Sequence, residues 1–395
     1  MATSFDDEIE LTALRERQSA KWTGYAPDVL PTWVAEMDFP LAEPIKRLLH
    51  ALIDRGDTGY AAPRGFGQAF ATFLKSEYTW SIAPKDVMAV ADVMTGVREL
   101  LAVLTSPGDR VVINPPVYPP FFEAGKSARL EVCEAPLARR RDGDDDFWTL
   151  DLEAIERAYA ASAERAGKTV HLLCSPHNPT GTVHSRATLE GLIALAERYD
   201  VTILSDEIHA PLTYVAEGAA SPHIPLASLS EAASQRVIVL TSASKTWNLP
   251  GLKAAAMIAT SDATRAVLRA LPPETPWHAG HFGVLANEVA LRECQPWRKR
   301  ALYTLDRNRA LLRALLTEHL PGVRYTPPAA GYLAWLDCSA LGLGDDPGQA
   351  FLKRGRVALS NGPMFGAPGR GFARLNLATS RVLLEDAVLR MKSAL

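Results

Sequence analysis

Between residues 87 and 260, short apolar runs alternate with segments of helical periodicity. Runs rich in β-branched residues predict strands at Val87–Ala91, Arg110–Asn114, Val170–Cys174, Val201–Ser205, Arg236–Thr241 and Ala254–Ala259. Apolar residues recur at helical spacing in the segments between them, as in Leu150–Ala166 and Arg186–Tyr199. This alternation is typical of βαβ units and predicts an α/β fold built on a largely parallel sheet flanked by helices.

Beyond residue 260 the pattern changes, which indicates a second domain. The chain has 395 residues, which is long for a single apolar core. The Pro-rich stretch at 271–277 predicts the passage from a large domain into a long helix that leads to a smaller domain. We therefore expect a large domain at 46–279. Residues 280–395, with 1–45 as an N-terminal arm, would form a small α+β domain.

The composition is that of an ordinary globular protein, with 47% hydrophobic and 22% charged residues. A formal net charge of −3 gives no electrostatic reason to expect nucleic acid or an anionic membrane as a partner. The one dense charged block, RRRDGDDD at 139–146, predicts a solvated loop with no binding role. Any anionic ligand would have to be held by local groups.

The N-terminal segment and the cysteines favour a cytoplasmic protein without metal. The first residues are acidic and amphipathic, unlike a signal peptide, and no apolar run is long enough to span a membrane. The cysteines include no CxxC pair, which argues against a disulfide framework and a zinc site; they are Cys133, Cys174, Cys294 and Cys338. His278 and His281 are close in sequence, but they lack neighbouring carboxylates or cysteines, so we expect no metal site.

The string TSASKTWNLPGLK at 241–253 follows a predicted strand and carries the most informative chemistry. A lysine at the end of a parallel strand lies where open α/β sheets keep their ligands. With a lowered pKa, Lys245 could form a Schiff base with an aldehyde cofactor, and Ser242, Ser244 and Lys253 could neutralise a phosphate. Taken alone, Lys245 would more often be a solvated residue at a strand end.

Three further strings follow other predicted strands. Asp206 in SDEIH could keep a pyridine nitrogen protonated, or it could simply cap a helix. Asn178 in CSPHNPTG could hydrogen-bond a phenolic oxygen, or it could belong to a turn. Gly96 and Val97 lie at a strand-to-helix turn whose free N–H groups would suit a phosphate.

Together these strings resemble the aminotransferase-type, fold type I pyridoxal-phosphate enzymes of the class I/II aminotransferase superfamily, over nearly the whole chain. The resemblance implies an aminotransferase-like fold, with a mainly parallel seven-stranded sheet in the large domain. It implies Lys245 as the Schiff-base lysine, Asp206 at the pyridine nitrogen and Asn178 at the ring oxygen. It also places Ser242, Lys253, Gly96 and Val97 around the phosphate, and Arg374 in FARLNLATSR at the substrate α-carboxylate.

Two tyrosines match the same family. Tyr118 in NPPVYPPF corresponds to an aromatic ring against the cofactor face, the alternative being a buried aromatic in a turn. Tyr60 in TGYAAPRG corresponds to a tyrosine that reaches the phosphate of a neighbouring subunit. The resemblance therefore implies a homodimer with shared active sites.

The segment KWTGYAPDVLPTWVAEMDFP at 21–40 resembles the N-terminal signature of one branch, the cystathionine β-lyases or MalY/PatB-type carbon–sulfur lyases. It implies that Trp33 and Val34 contact the substrate, although part of the segment would serve only to bury apolar surface. His209, in Asp-Glu-Ile-His, supports the same branch, and we place it beside the cofactor. The implied reaction is β-elimination on L-cystathionine or a related cysteine S-conjugate.

Two other functions remain open at this point. An aminotransferase acting on a small L-amino acid would use the same residues and would differ in reprotonating the cofactor. A protein with this fold that served only to bind a regulatory partner would be expected to lack Lys245, Asp206 or Arg374, and all three are present.

Overall fold

The computed structural model describes residues 4–143, 145–215 and 222–395. The strands are β1 (Leu30–Pro31), β2 (Val87–Val90), β3 (Arg110–Ile113), β4 (Glu131–Glu134), β5 (Ala138–Asp142), β6 (Asp145–Thr149), β7 (Thr169–Cys174), β8 (Thr202–Asp206), β9 (Val237–Thr241), β10 (Ala255–Ile258), β11 (Arg324–Tyr325), β12 (Leu333–Asp337), β13 (Val357–Ala358), β14 (Ser360–Asn361) and β15 (Phe372–Asn376).

The helices are α1 (Leu11–Arg15), α2 (Ala20–Thr23), α3 (Glu43–Asp54), α4 (Phe66–Tyr78), α5 (Val93–Leu104), α6 (Pro120–Ser127), α7 (Leu152–Ala163), α8 (Arg186–Arg198), α9 (Glu231–Arg236), α10 (Asp262–Arg269), α11 (His281–Glu293), α12 (Gln295–His319), α13 (Pro347–Gly355) and α14 (Arg381–Ser393). Several begin at a side-chain cap that accepts a backbone N–H of the first turn, including Asp151 before α7 and Ser185 before α8. Among the described residues, no helix combines the length and apolar character needed to cross a membrane.

A seven-stranded sheet in the order β2-β10-β9-β8-β7-β3-β4 forms the centre of the large domain. Only β10 runs antiparallel to its neighbours, so the other strands end at the same edge. The predicted α/β fold with a mainly parallel sheet is confirmed, and all six predicted strands are present. Strand β4 was not predicted, because its residues, Glu-Val-Cys-Glu, are mostly polar and partly exposed at the sheet edge.

The smaller unit contains an antiparallel sheet in the order β11-β12-β15-β14, together with α12, α13 and α14. Its apolar core includes Leu305, Leu333 and Leu384. Phe5 and Phe39 of the N-terminal arm are buried in the same core, and β1 pairs in parallel with β13. The arm is therefore fixed against the smaller unit, and it carries residues 33–38 towards the large one.

The predicted solvated loop at 139–146 is wrong, because residues 139–142 and 145–146 belong to the paired strands β5 and β6; Asp144 lies outside the described residues. Several charges of this segment are paired across the hairpin and with the smaller unit. Arg139 binds both Asp146 and Asp337, and the Asp337 side chain is only 3% exposed. A dense block of charges can thus form an ordered hairpin when some of the charges bind partners of opposite sign.

The core that surrounds the central sheet extends past residue 280. Val284, Ala286 and Ala290 of α11 are buried in it, and α11 contacts α3 and α4. The long helix that continues into the smaller unit is α12, whose Ala301 and Leu312 belong to the other core. This clustering differs from the division expected at 279/280, because the Pro-rich stretch precedes a helix that still covers the large sheet.

Candidate active site

A cavity of about 360 Å³ lies at the carboxyl ends of β7, β8 and β9. This is the edge at which open α/β sheets keep their ligands. Its wall includes predicted site residues from distant parts of the sequence, namely Val34, Tyr118, Asn178, Asp206, His209, Lys245, Lys253 and Arg374. The fold therefore brings most of the predicted site together.

Lys245 follows β9 and is held by a neutral acceptor. Its Nζ donates a hydrogen bond of 2.9 Å to the carbonyl oxygen of Ala35, and it forms no ion pair with a described carboxylate. Burial lowers the pKa of Lys245 to about 8, and the Arg374 charge acts in the same direction against the opposing effect of Asp206. The amine is thus available as a nucleophile or a base near neutral pH.

Asp206 is the last residue of β8 and is buried. Burial raises the pKa of Asp206 to about 7, although the Ile208 N–H, 3.2 Å from Oδ1, and the Lys245 charge favour the carboxylate. The pocket offers too little positive charge to stabilise the carboxylate form of Asp206. A protonated ring nitrogen beside Asp206 would supply that positive charge and would therefore bind readily.

Arg374 lies on β15 and reaches Asn178 in the turn after β7. Its Nη1 donates to Asn178 Oδ1 at 2.9 Å, and its Nη2 donates to Trp33 O and Ser360 Oγ, each at 3.0 Å. All of these acceptors are neutral, and Nε is buried without a partner among the described residues. Burial lowers the pKa of Arg374 to about 10, so the guanidinium stays charged and can bind a carboxylate.

The start of α5 forms the other end of the cavity. Asp92 caps the helix, and the walls include Val93 and Met94, whose N–H groups belong to the first turn and have no acceptor within the helix. Lys253 Nζ lies 3.0 Å from Asp92 Oδ2, and Ser244 adds a hydroxyl to the wall. These groups could hold a phosphate.

Three predicted phosphate contacts are not placed at the cavity. Gly96 and Val97 lie one turn further into α5, where the Gly96 N–H bonds to Asp92 O and Val97 is buried in the core. Gly96 is small because an added Cβ would lie 2.9 Å from Leu240 Cδ2. The Ser242 hydroxyl donates to Ala254 O and accepts the Ser244 N–H, so it supports the loop while Ser244 faces the cavity.

The remaining predicted residues have distinct positions. Tyr118 and Val34 line the cavity. Trp33 is not part of the wall, but its carbonyl oxygen anchors Arg374. His209 is buried against the Tyr332 ring, and burial lowers the pKa of His209 to about 3, so it is neutral. Tyr60 is 88% exposed and does not reach the cavity of its own chain.

Sequence reasoning missed Cys174, Ala35, Val93 and Met94 as wall residues. Cys174 ends β7 opposite Asp206 in the sheet register, and its Sγ accepts the Asn178 N–H at 3.3 Å. The available signal was its place immediately before the Asn178 turn. For Val93 and Met94, the residue that could have predicted their place is Asp92, because an N-cap aspartate marks the first turn of α5 more closely than Gly96 does.

The chain is similar to known proteins over its full length. Residues 35–390 match the model of the family described as "Aminotransferase class I and II". A Mycobacterium leprae protein provisionally named cystathionine beta-lyase is 42% identical, over 98% of both chains. Cystathionine beta-lyase PatB of Bacillus subtilis is 34% identical, over 96% of this chain and 97% of that one. A crystal structure from Corynebacterium diphtheriae, provisionally described as a PLP-dependent beta-cystathionase, has a TM-score of 0.88 at 32% identity, over 98% and 97% of the two chains.

Proposed function

Because this chain belongs to the class I and II aminotransferase family, we propose that it is a pyridoxal-phosphate-dependent carbon–sulfur β-lyase acting on L-cystathionine or a related cysteine S-conjugate. The full-length similarity to proteins named cystathionine beta-lyase supports the reaction class. The observation that carries the proposal is the position of Lys245, a half-buried amine of lowered pKa in one cavity with Asp206 and Arg374.

The residues of the cavity fit pyridoxal phosphate. The amine of Lys245 would bond to the aldehyde carbon of the cofactor, and Asp206 would face the ring nitrogen of the cofactor. The first-turn N–H groups of α5, with Ser244 and Lys253, would hold the phosphate. Tyr118 would lie against the ring. When bound, the cofactor supplies an electron-withdrawing ring that makes the α-proton of an attached amino acid acidic.

Arg374 and Asn178 would fix the substrate through its α-carboxylate. Because Arg374 forms no ion pair with a described carboxylate, the N–H groups of Nε and Nη1 that lack an acceptor would bind the substrate carboxylate, while Asn178 holds the guanidinium in place. This orientation would set the α-proton beside Lys245 Nζ, which takes the proton as general base. Asp206 would keep the proton on the ring nitrogen throughout.

Loss of the α-proton would be followed by loss of the β-thiolate. The proton held at Lys245 Nζ can be returned to the leaving sulfur, so the thiol departs neutral. The remaining three-carbon product is then hydrolysed by water without the help of side chains, and this hydrolysis gives pyruvate and ammonium. In total, one thioether and one water yield one thiol, one pyruvate and one ammonium ion.

The role of Lys245 is tested by Lys245→Arg, which keeps the charge and removes the primary amine. We expect loss of the visible absorbance of the bound cofactor and at least about a thousandfold fall in pyruvate formation. Lys126→Arg, an exposed lysine paired with Glu123, is the matched control and should keep both. Pyruvate formation at the wild-type rate in Lys245→Arg would overturn the assignment.

We also infer a homodimer in the cytoplasm. Tyr60, Trp277 and Ile53 are large apolar side chains with exposures of 88%, 67% and 62%, and Tyr60 would reach the phosphate end of the partner's cavity. The four cysteines are unpaired thiols, which supports a reducing compartment. Light scattering of the purified holoenzyme tests the dimer, since a monomeric mass with full activity would contradict it.

A further inference from the structure

Residues 33–38 form a strap that borders the cavity at Val34 and Ala35, and every carbonyl oxygen in it accepts a side-chain hydrogen bond. The donors are Ser360 and Arg374 for Trp33, Asn376 for Val34, Lys245 and Tyr332 for Ala35, Lys21 and Asn376 for Glu36, Arg17 and Asn248 for Met37, and Arg17 for Asp38. A segment without regular secondary structure is thereby held in one conformation.

The Ala35 carbonyl is the point at which the strap meets Lys245. Its oxygen accepts Lys245 Nζ at 2.9 Å and Tyr332 Oη at 3.1 Å, so both of its lone pairs are used. Ala35 lines the cavity, whereas Tyr332 lies behind it and is only 1% exposed. The hydroxyl of Tyr332 therefore reaches the Lys245 amine through the Ala35 carbonyl, while its ring packs on His209.

We propose that Tyr332 is a positioning residue, which fixes the Ala35 carbonyl so that this oxygen orients the free amine of Lys245 during proton transfer. This inference rests on the proposed function, in which Lys245 is the general base.

Two features of the geometry support a role in proton transfer. A free lysine has a long flexible side chain, and one N–H held by a fixed acceptor restricts where its lone pair points. The acceptor is a carbonyl and carries no full charge, so it holds the amine without stabilising the ammonium form as a carboxylate would. Burial keeps the Tyr332 pKa well above its usual range, and the phenol remains a donor.

The Tyr332 hydroxyl has no other hydrogen-bond partner among the residues that the structure describes, and the ring packs on His209. Tyr332→Phe removes one hydrogen bond and retains that packing. Tyr325→Phe is a matched control, because Tyr325 is a buried tyrosine of the same apolar core whose hydroxyl has no partner among the described residues.

The test measures exchange of the α-proton of L-alanine in D2O by NMR with the holoenzyme, since alanine has no leaving group and its exchange reports the base alone. We expect Tyr332→Phe to slow exchange about tenfold, with the KM for alanine and the affinity for pyridoxal phosphate unchanged within about twofold. Tyr325→Phe should exchange at the wild-type rate. A merely structural role would lower the melting temperature without this selective loss.

Exchange at the wild-type rate in folded Tyr332→Phe would overturn the inference. If that variant does not fold, Ala35→Gly replaces it, because glycine keeps every hydrogen bond available and frees the backbone that carries the carbonyl. The same slowing is then expected, and an unchanged rate overturns the proposal. Lys245→Arg is measured in parallel: exchange that survives in it contradicts the proposed function itself, whereas exchange that needs Lys245 and ignores Tyr332 contradicts only this inference.

Discussion

Lys253 Nζ lies 3.0 Å from Asp92 Oδ2 at the N-terminus of α5. The Asp92 carboxylate therefore lies beside the N–H groups proposed to hold the cofactor phosphate. It also binds the Lys253 ammonium group, which would otherwise face that phosphate. Burial opposes ionisation, but the Thr95 N–H and Lys253 outweigh it and hold the Asp92 pKa below its usual value. Asp92 is thus a negative charge at an anion site.

We predict that Asp92→Ser tightens the binding of pyridoxal phosphate. Serine still caps the helix, the repelling charge is lost and Lys253 is released towards the phosphate. Equilibrium titration of the cofactor-free enzyme should show an affinity gain of about threefold to tenfold. Pyridoxal, which lacks the phosphate, is the control and should bind both proteins alike. Weaker binding of the phosphorylated form would contradict the repulsive role of Asp92.

Ser360 should matter for substrate binding more than for turnover. Its hydroxyl accepts from Arg374 Nη2 and donates to Trp33 O, so Ser360→Ala loosens the guanidinium without removing it. We expect KM to rise about fivefold with kcat changed by less than about twofold. Arg374→Ala, measured alongside, should lose at least about a hundredfold in kcat/KM. A fall in kcat alone for Ser360→Ala would contradict a role in substrate binding and would indicate a role in the catalytic step.

The cofactor-free enzyme should capture pyridoxal phosphate faster as the pH rises through about 8. The Lys245 amine reacts only when deprotonated, and burial followed by the Arg374 charge lowers its pKa to about 8. The observed rate constant should therefore increase up to that pH and level off above it, where a free lysine would continue to gain up to about pH 10.4. Stopped-flow absorbance between pH 6 and 10 measures this, and a rate still rising at pH 10 would show an unperturbed lysine.

Asp206→Asn should stabilise the cofactor-free protein while impairing the holoenzyme. Burial raises the Asp206 pKa from 3.8 to about 7, so the folded state binds more protons than the unfolded state between those values, and its stability falls as the pH rises through that window. At pH 8 we expect Asp206→Asn to gain on the order of 2 kcal/mol, with no gain below about pH 4. Urea unfolding at the two pH values tests this, and equal gains at both would exclude the titration of Asp206 as the cause.

Arg139→Ala should destabilise the protein through the interface between the hairpin β5–β6 and the smaller unit. Arg139 binds Asp337, whose side chain is 3% exposed, and its loss leaves Arg141 as the remaining arginine partner of that carboxylate. We expect a loss of about 2 kcal/mol in the free energy of unfolding. Arg140→Ala, which removes an exposed neighbour, should stay within about 0.5 kcal/mol. Equal losses in the two variants would mean that the contact between Arg139 and Asp337 does not contribute to the free energy of unfolding.

Local patterns predicted most of the central sheet, because its strands are short apolar runs. The helix caps and turns between them are marked by residue types that can be recognised in the sequence. The strand β4 and the hairpin β5–β6 were not predicted, since their residues are polar. One of the two carboxylates that bind Arg139, Asp337, lies nearly 200 positions away, and no window of sequence contains both residues.

Most of the residues predicted for the site line one cavity in the structure, and their roles stay predictions. Lys245, Asp206, Asn178 and Arg374 each follow or lie on a strand of recognisable pattern, and the fold brings them together. At the α5 end of the cavity, Gly96 and Val97 lie one turn beyond the wall residues Val93 and Met94, and a Cβ at position 96 would crowd the side chain of Leu240. The Ala35 carbonyl could not be found from sequence, since a backbone atom leaves no trace in residue type.

The most direct test of the reaction is the product balance with L-cystathionine and no keto acid. Purified holoenzyme is incubated with the substrate, and pyruvate and free thiol are followed together. The proposed β-lyase should release both continuously in equimolar amounts, and Lys245→Arg should release neither. No release without a keto acid, followed by amino-group transfer once one is added, would contradict the β-lyase and identify an aminotransferase.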